Sequence, residues 1–168
     1  MDDIKRTMVI AAFPGTGKSF CVKNEGTKFN GILDSDSSNY SWIKDAKGNN
    51  TSERNPNFPQ NYIEHIKENI GKVDVIFVSS HKEVREALER EGIEYILVYP
   101  NVFQKDDYIK RYKNRGNSEK FIRTLETKWE EWINECRMEE YPTRIELPYF
   151  SLKYLNKEVI DLIKIMEW

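Results

Sequence analysis

Two cysteines and two histidines are all that the 168 residues contain of either type. Cys21 and Cys136 stand far apart with no metal-ligand spacing, which excludes a disulfide framework and a thiolate metal site and suits free thiols in a reducing compartment. Charge of one sign is also lacking. The 26 basic and 28 acidic side chains leave a net −2, so no global field draws the chain to nucleic acid or to an anionic membrane. No stretch approaches the ~20 apolar residues of a membrane span. The N-terminus opens on Asp2 and Asp3, and the apolar run from Met8 to Phe13 ends at Pro14, so neither a secretory leader nor a membrane partner is expected and the chain is placed in the cytoplasm. Internal repeats, low-complexity tracts and linkers are missing as well, which excludes solenoid and multi-domain readings.

What is present is bulk. The hydrophobic share is 39%, with 8 Phe, 4 Trp and 9 Tyr, enough to build a core and to exclude disorder. The length is that of one domain, spanning 1–168. Thr7–Ala12 reads as a buried strand and a second short strand lies around Gly31–Asp34. Asn49–Gln60, polar and punctuated by Pro56 and Pro59, reads as a loop. A helix follows in which Ile63, Ile66 and Ile70 share a face and Gly71 is the stop. Val73–Ser79 is β-branched and continuous, the pattern of a strand buried on both faces. Glu83–Glu91 is helical, Ile93–Tyr99 is a strand stopped by Pro100, and Lys105–Arg115 and Ser118–Met138 are helical. The second of these carries Ile122, Leu125, Trp129, Trp132, Ile133 and Cys136 at three-to-four spacing. Arg144–Leu147 is a last strand and Leu155–Met166 a last helix. Strands alternating with helices imply crossover connections, hence an α/β domain of three layers around a mostly parallel five-stranded sheet.

One motif decides the class. Residues 12–19 read Ala-Phe-Pro-Gly-Thr-Gly-Lys-Ser directly after the first strand. Against the P-loop pattern G-x-x-x-x-G-K-[ST], Gly17, Lys18 and Ser19 match and Ala12 replaces the first glycine. Gly15 and Gly17 let the backbone curl so that the N–H groups of residues 15–19, Thr16 included, converge on an anion at a helix N-terminus. Lys18 brings a point charge to the β- and γ-phosphates, and Ser19 offers a hydroxyl to Mg²⁺.

The run Pro14–Ser19 after a strand resembles the nucleoside-monophosphate-kinase branch of P-loop proteins. With DSDSSNYSW (Asp34–Trp42), NPNFPQNYIEHI (Asn55–Ile66), IFVSSHKEVREAL (Ile76–Leu88) and YIKRYKNRGN (Tyr108–Asn117), nearly the whole chain resembles small adenylate-kinase-like, ATP-binding proteins often encoded by bacteriophages. The resemblance implies a P-loop fold with a short helical lid at 104–118, an acceptor-binding region at 35–70, ATP as donor with Mg²⁺, and, for a phage protein, the host cytoplasm. It does not fix the acceptor, because fold does not fix function.

Further residues fall into place around the motif. Asp34-Ser35-Asp36 closes the second strand and resembles the Asp-x-Asp of shikimate-type kinases, so Asp34 or Asp36 joins Ser19 as a candidate metal ligand and Asp36 is a candidate catalytic group. The same residues also suit an Asx-turn. The strand Val73–Ser79 lacks an acid at its C-terminal end, and Ser79, Ser80 and His81 stand there instead. Lys105–Arg123 holds seven basic residues against three acidic ones, and Arg111 and Arg115 sit four apart on one helix face. In the resembled family a lid carries arginines onto the transferring phosphate; a solvated basic face is the other reading. Arg54, Asn61 and Tyr62 are candidate acceptor contacts, and Tyr40 and Trp42 suit either base stacking or the core.

The expectation is an ATP- and Mg²⁺-dependent phosphotransferase acting on a small nucleotide, a (deoxy)nucleoside monophosphate kinase. Its alternatives are a kinase of a hydroxyl acceptor, such as a polynucleotide 5′-end or a small alcohol, and a nucleotide-binding regulatory or inhibitory protein with little turnover. Nucleic acid is not otherwise expected as a partner.

Overall fold

The computed structural model describes residues 6–25 and 29–148 together with Asp161. The helix expected at Leu155–Met166 lies, but for that residue, outside the described residues. Five strands form one parallel sheet: β1 (Met8–Ala12), β2 (Ile32–Asp34), β5 (Val75–Ser79), β6 (Ile96–Pro100) and β7 (Thr143–Leu147), in the order β2-β5-β1-β6-β7. The α/β class expected from the alternation is therefore present, with a five-stranded parallel sheet. β1 is central, flanked by β5 and β6, and all five of its residues are buried. That is why its sequence is an unbroken apolar run rather than an alternating one.

The two faces of the sheet are covered unequally. Val9, Ala11 and Phe13 share a core with helices α3 (Gln60–Asn69), α4 (Lys82–Arg90), α5 (Lys105–Asn114) and α6 (Glu119–Met138). Met8, Ile10 and Ala12 face the other side with Cys21 of α1 (Lys18–Glu25) and with Phe29. In α6, Ile122, Leu125, Trp129, Ile133 and Cys136 are buried as their spacing predicts. Trp129 is the largest fully buried side chain and donates its indole N–H to Val102 O at 2.7 Å. Among the described residues no helix is long and apolar enough to cross a membrane.

Three sequence expectations are corrected. Part of the polar segment 49–60 is not loop. Asn50–Arg54 is strand β4, paired antiparallel with β3 (Trp42–Lys44). Its residues are mostly exposed, so hydrophobic periodicity carries no sign of it. The turn is organised by Asp45, whose carboxylate accepts the Lys47 and Asn49 N–H groups at 2.8 Å each. These bonds hold the Asp45 carboxyl below its usual pKa, the Asn49 N–H contributing most. Second, Ile70 does not join Ile63 and Ile66 in the core; α3 ends at Asn69, Ile70 turns extended, and its side chain is 40% exposed. Third, Pro100 is the last residue of β6 rather than the stop beyond it. A proline is tolerated there because a strand terminus makes least use of the missing N–H.

Candidate functional site

Register brings the candidate residues together. Ala12 of β1 pairs with Ser79 of β5, and Asp34 of β2 pairs with Phe77, so three strands end at one edge. The Ser35 N–H, just past β2, donates to Phe77 O at 2.9 Å. Tyr62 of α3 bolts the two outer ends together: its hydroxyl donates to Ser35 O at 2.7 Å and accepts the Ser79 N–H at 3.2 Å. Ligand sites in open parallel sheets lie beyond such carboxyl ends.

The glycine-rich turn stands at this edge, between β1 and α1. Gly15 and Gly17 have φ of +84° and +102°, backbone that a side chain would strain. Thr16 is fully buried; its hydroxyl donates to Phe13 O at 2.8 Å and pins the turn from inside. Lys18 and Ser19 open α1, where unpaired backbone N–H groups and the helix dipole favour an anion. Lys18 Nζ donates to Ala12 O at 2.9 Å, lying back along the turn. Burial lowers the Lys18 pKa from its usual value, and Asp34 and Asp36 oppose that shift. Arg115 adds to the lowering, so all four charges act on one spot.

A cleft of about 300 Å³ joins these groups, with Gly15, Lys18, Ser19, Asp34, Asp36 and Arg115 on its walls. Ser79, Ser80 and His81 from the end of β5 line it as well, and Tyr112, Asn117 and Phe121 close it from α5 and α6. Ser19 Oγ donates to Asp34 Oδ2 at 3.4 Å, a long bond between exposed groups. Asp36 Oδ1 accepts the Ser38 N–H at 2.9 Å, so the turn role and the cleft role coexist in one side chain. Serine hydroxyl and aspartate carboxylates are the hard oxygen donors that Mg²⁺ takes. Among the described residues no three His, Cys, Asp or Glu side chains converge, so a cation here would complete its coordination with oxygens of a bound phosphate or water.

Helix α5 braces the turn from above. Arg111 Nη1 donates to Gly15 O at 3.1 Å, and its guanidinium lies 4.2 Å from the Tyr108 ring centroid. The Tyr112 hydroxyl donates to Pro14 O at 2.6 Å. Arg111 is thus bonded to the turn itself, whereas Arg115, at the C-terminal end of α5, borders the open cleft. The aromatic pair Tyr108 and Tyr112 was not singled out from sequence. Their i,i+4 spacing beside the two arginines carried the signal, but such pairs are commonly core.

The three expected acceptor contacts do not reach the cleft. Arg54 forms an ion pair with Glu83 and stacks over Phe58 at 4.8 Å and Trp42 at 5.4 Å. Asn61 donates to Tyr40 O at 3.0 Å. Tyr62 is fully buried, and Tyr40 packs against it with ring centroids 5.2 Å apart. Comparison with protein-family models and with curated proteins finds no match to this chain.

Proposed function

We propose that the chain is a P-loop phosphotransferase that uses ATP and Mg²⁺ and acts on a small nucleotide, in the first place a (deoxy)nucleoside monophosphate. The observation that carries this reading is the single cleft shared by the Gly15–Ser19 turn, Asp34, Asp36 and Arg115 at the carboxyl edge of the sheet. Backbone N–H groups of residues 15–19 and the Lys18 ammonium take the donor phosphates. Arg115 balances charge that spreads over the transferring phosphoryl oxygens, a contribution worth ~10³–10⁵ in rate where an arginine is well positioned. Arg111 acts through the backbone, keeping the Gly15 carbonyl, and with it the turn, in the shape an anion needs. Ser19 with Asp34 or Asp36 would hold Mg²⁺, which supplies neutralisation of phosphate charge when bound. Burial of Lys18 in the empty turn strengthens its attraction for an incoming anion, because the charge is already partly stripped of water.

A second reading, a hydroxyl acceptor, is favoured by a specific observation. Arg54, Asn61 and Tyr62 are engaged elsewhere, while the Asp36 carboxylate borders the cleft. A hydroxyl loses a proton on transfer and benefits from a carboxylate base; a monophosphate, already anionic with a second pKa of ~6, does not.

The test is a product screen with Mg²⁺-ATP and a panel of ribo- and deoxynucleoside monophosphates, nucleosides and 5′-hydroxyl oligonucleotides, with Lys18→Ala as control. A diphosphate that disappears in the control is the expected result. Lost turnover in Asp36→Asn with unchanged Mg²⁺ affinity selects the hydroxyl acceptor. ATP bound without any product overturns both readings in favour of a regulatory nucleotide-binding role.

A further inference from the structure

A second cavity, of about 400 Å³, lies between α4 and α6 beside the cleft; Pro14, Ser80 and His81 line both. Its size is that of a small-molecule site. One wall is apolar and aromatic, made of Phe13, the half-buried Trp132 and Cys136.

Arg85 is the unusual group in it. The residue is 3% exposed, a charge that folding hides almost completely. Two of its guanidinium nitrogens are accounted for: Nε donates to Glu139 Oε1 at 2.8 Å and Nη1 to Ser80 O at 2.5 Å. Those bonds tie α4 to α6 and explain a buried arginine on structural grounds. They leave Nη2, which is buried and makes no hydrogen bond. Its nearest carboxylate oxygen, on Glu135, is 3.8 Å away, beyond hydrogen-bond reach. A buried charged N–H without an acceptor costs on the order of 1–3 kcal/mol or more, so such a group in the wall of a cavity marks where an acceptor atom is wanted.

The rest of the lining says which kind of molecule carries that atom. Glu83, Glu86 and Glu135 outnumber Lys82 and Arg85, so the cavity repels a phosphate and favours a neutral or amine-bearing group. Glu135 sits beside Nη2 with a carboxylate that accepts but cannot donate. A partner therefore needs a carbonyl for Arg85, an N–H next to it for Glu135, and a flat face for Trp132. We propose that this cavity binds a nucleobase bearing a carbonyl and an amine on one edge, as cytosine and guanine do, and that it holds the base of the acceptor. Adenine lacks the carbonyl; uracil and thymine lack the amine. The assignment to the acceptor rests on the phosphotransferase reading of the adjoining cleft. The base selectivity does not.

The experiment uses nucleosides, which carry no phosphate for the glycine-rich turn. Cytidine, guanosine, adenosine and uridine are titrated into the ¹⁵N-labelled full chain without ATP, following the Trp132 indole resonance, assigned by its loss in Trp132→Phe. The expected result is a shift with cytidine or guanosine at an affinity at least tenfold above adenosine and uridine. Glu135→Gln is expected to abolish that preference with its thermal midpoint unchanged, a readout that a purely structural ion pair would not move. Lys18→Ala is expected to leave nucleoside binding intact. No shift with any nucleoside, equal affinity for all four, or binding lost in Lys18→Ala overturns the proposal. Selective nucleoside binding together with no phosphoryl transfer overturns the kinase reading and leaves the base site standing.

Discussion

Gly15→Ala tests the packing of α5 on the glycine-rich turn. At φ +84° an alanine adopts left-handed backbone, at ~1–2 kcal/mol. Its Cβ would also lie 2.9 Å from Tyr112 Cε1 and 3.1 Å from Tyr108 Cδ1. Neither ring can step aside cheaply. Tyr112 is tied to Pro14 O at 2.6 Å and packs edge-on against Phe121 at 5.5 Å, and Tyr108 lies 5.3 Å from Trp129 between ring centroids. Overpacking of this kind adds ~1–3 kcal/mol. Gly48 provides the matched control, with φ +82° and nothing within 4 Å of its added Cβ, so only the backbone term applies. In thermal denaturation followed by circular dichroism, Gly15→Ala should lower the midpoint by roughly 10 °C and Gly48→Ala by roughly 5 °C, taking ~2–4 °C per kcal/mol for a chain of this size. Tyr112→Ala, introduced into Gly15→Ala, should recover part of the contact term, a coupling of ~1–3 kcal/mol. If Gly15→Ala costs no more than Gly48→Ala, or if the double variant is merely additive, α5 does not clamp the turn and the role assigned to Arg111 falls with it.

Lys18→Met should stabilise the ligand-free protein by on the order of 1 kcal/mol near neutral pH while abolishing any rise in midpoint on adding Mg²⁺-ATP. Burial lowers the folded-state Lys18 pKa below 10.5, so its destabilisation is complete below the folded value and is relieved as pH rises toward the unfolded one. A wild-type advantage over Lys18→Met that grows toward low pH would contradict this. Tyr62→Phe removes the donor to Ser35 O and the acceptor for Ser79 N, and should cost ~1–3 kcal/mol in urea denaturation with m unchanged. A neutral result would mean that water replaces both bonds. Burial pushes the Cys136 thiol up to about 11, from 9.0. At pH 8 its alkylation, read by peptide mass spectrometry, should be about 100-fold slower in the native chain than in the urea-unfolded one; equal rates would refute its burial.

Much of the architecture is legible in local sequence because it obeys local rules. β1, β5 and β6 are buried on both sides, so their continuous apolar runs stand out, and α6 buries one stripe at helical spacing. The hairpin β3–β4 is invisible for the converse reason: it lies off the main sheet, is largely exposed, and its pairing rests on backbone bonds and on Asp45. Helix ends are similarly hard to read. Ile70 continues the α3 apolar spacing, yet the chain turns extended one residue earlier.

For the site, the order of residues specifies the pieces: a strand, a turn with glycine where φ is positive, then Lys18 and Ser19 opening a helix. Chemistry at consecutive positions is a local property and needs no fold to be recognised. Which distant groups share that chemistry is another matter, because it depends on strand order and register. Insertion of β5 between β1 and β2 brings Asp34, Asp36 and Ser79 to the turn, while Arg54, Asn61 and Tyr62, close to them in sequence, are drawn into packing and ion pairs away from it. Arg85 shows the same division. In sequence it is one charge in a polar helix; only the approach of α6, with Glu135 and Glu139, strips it of water and leaves one N–H facing a cavity.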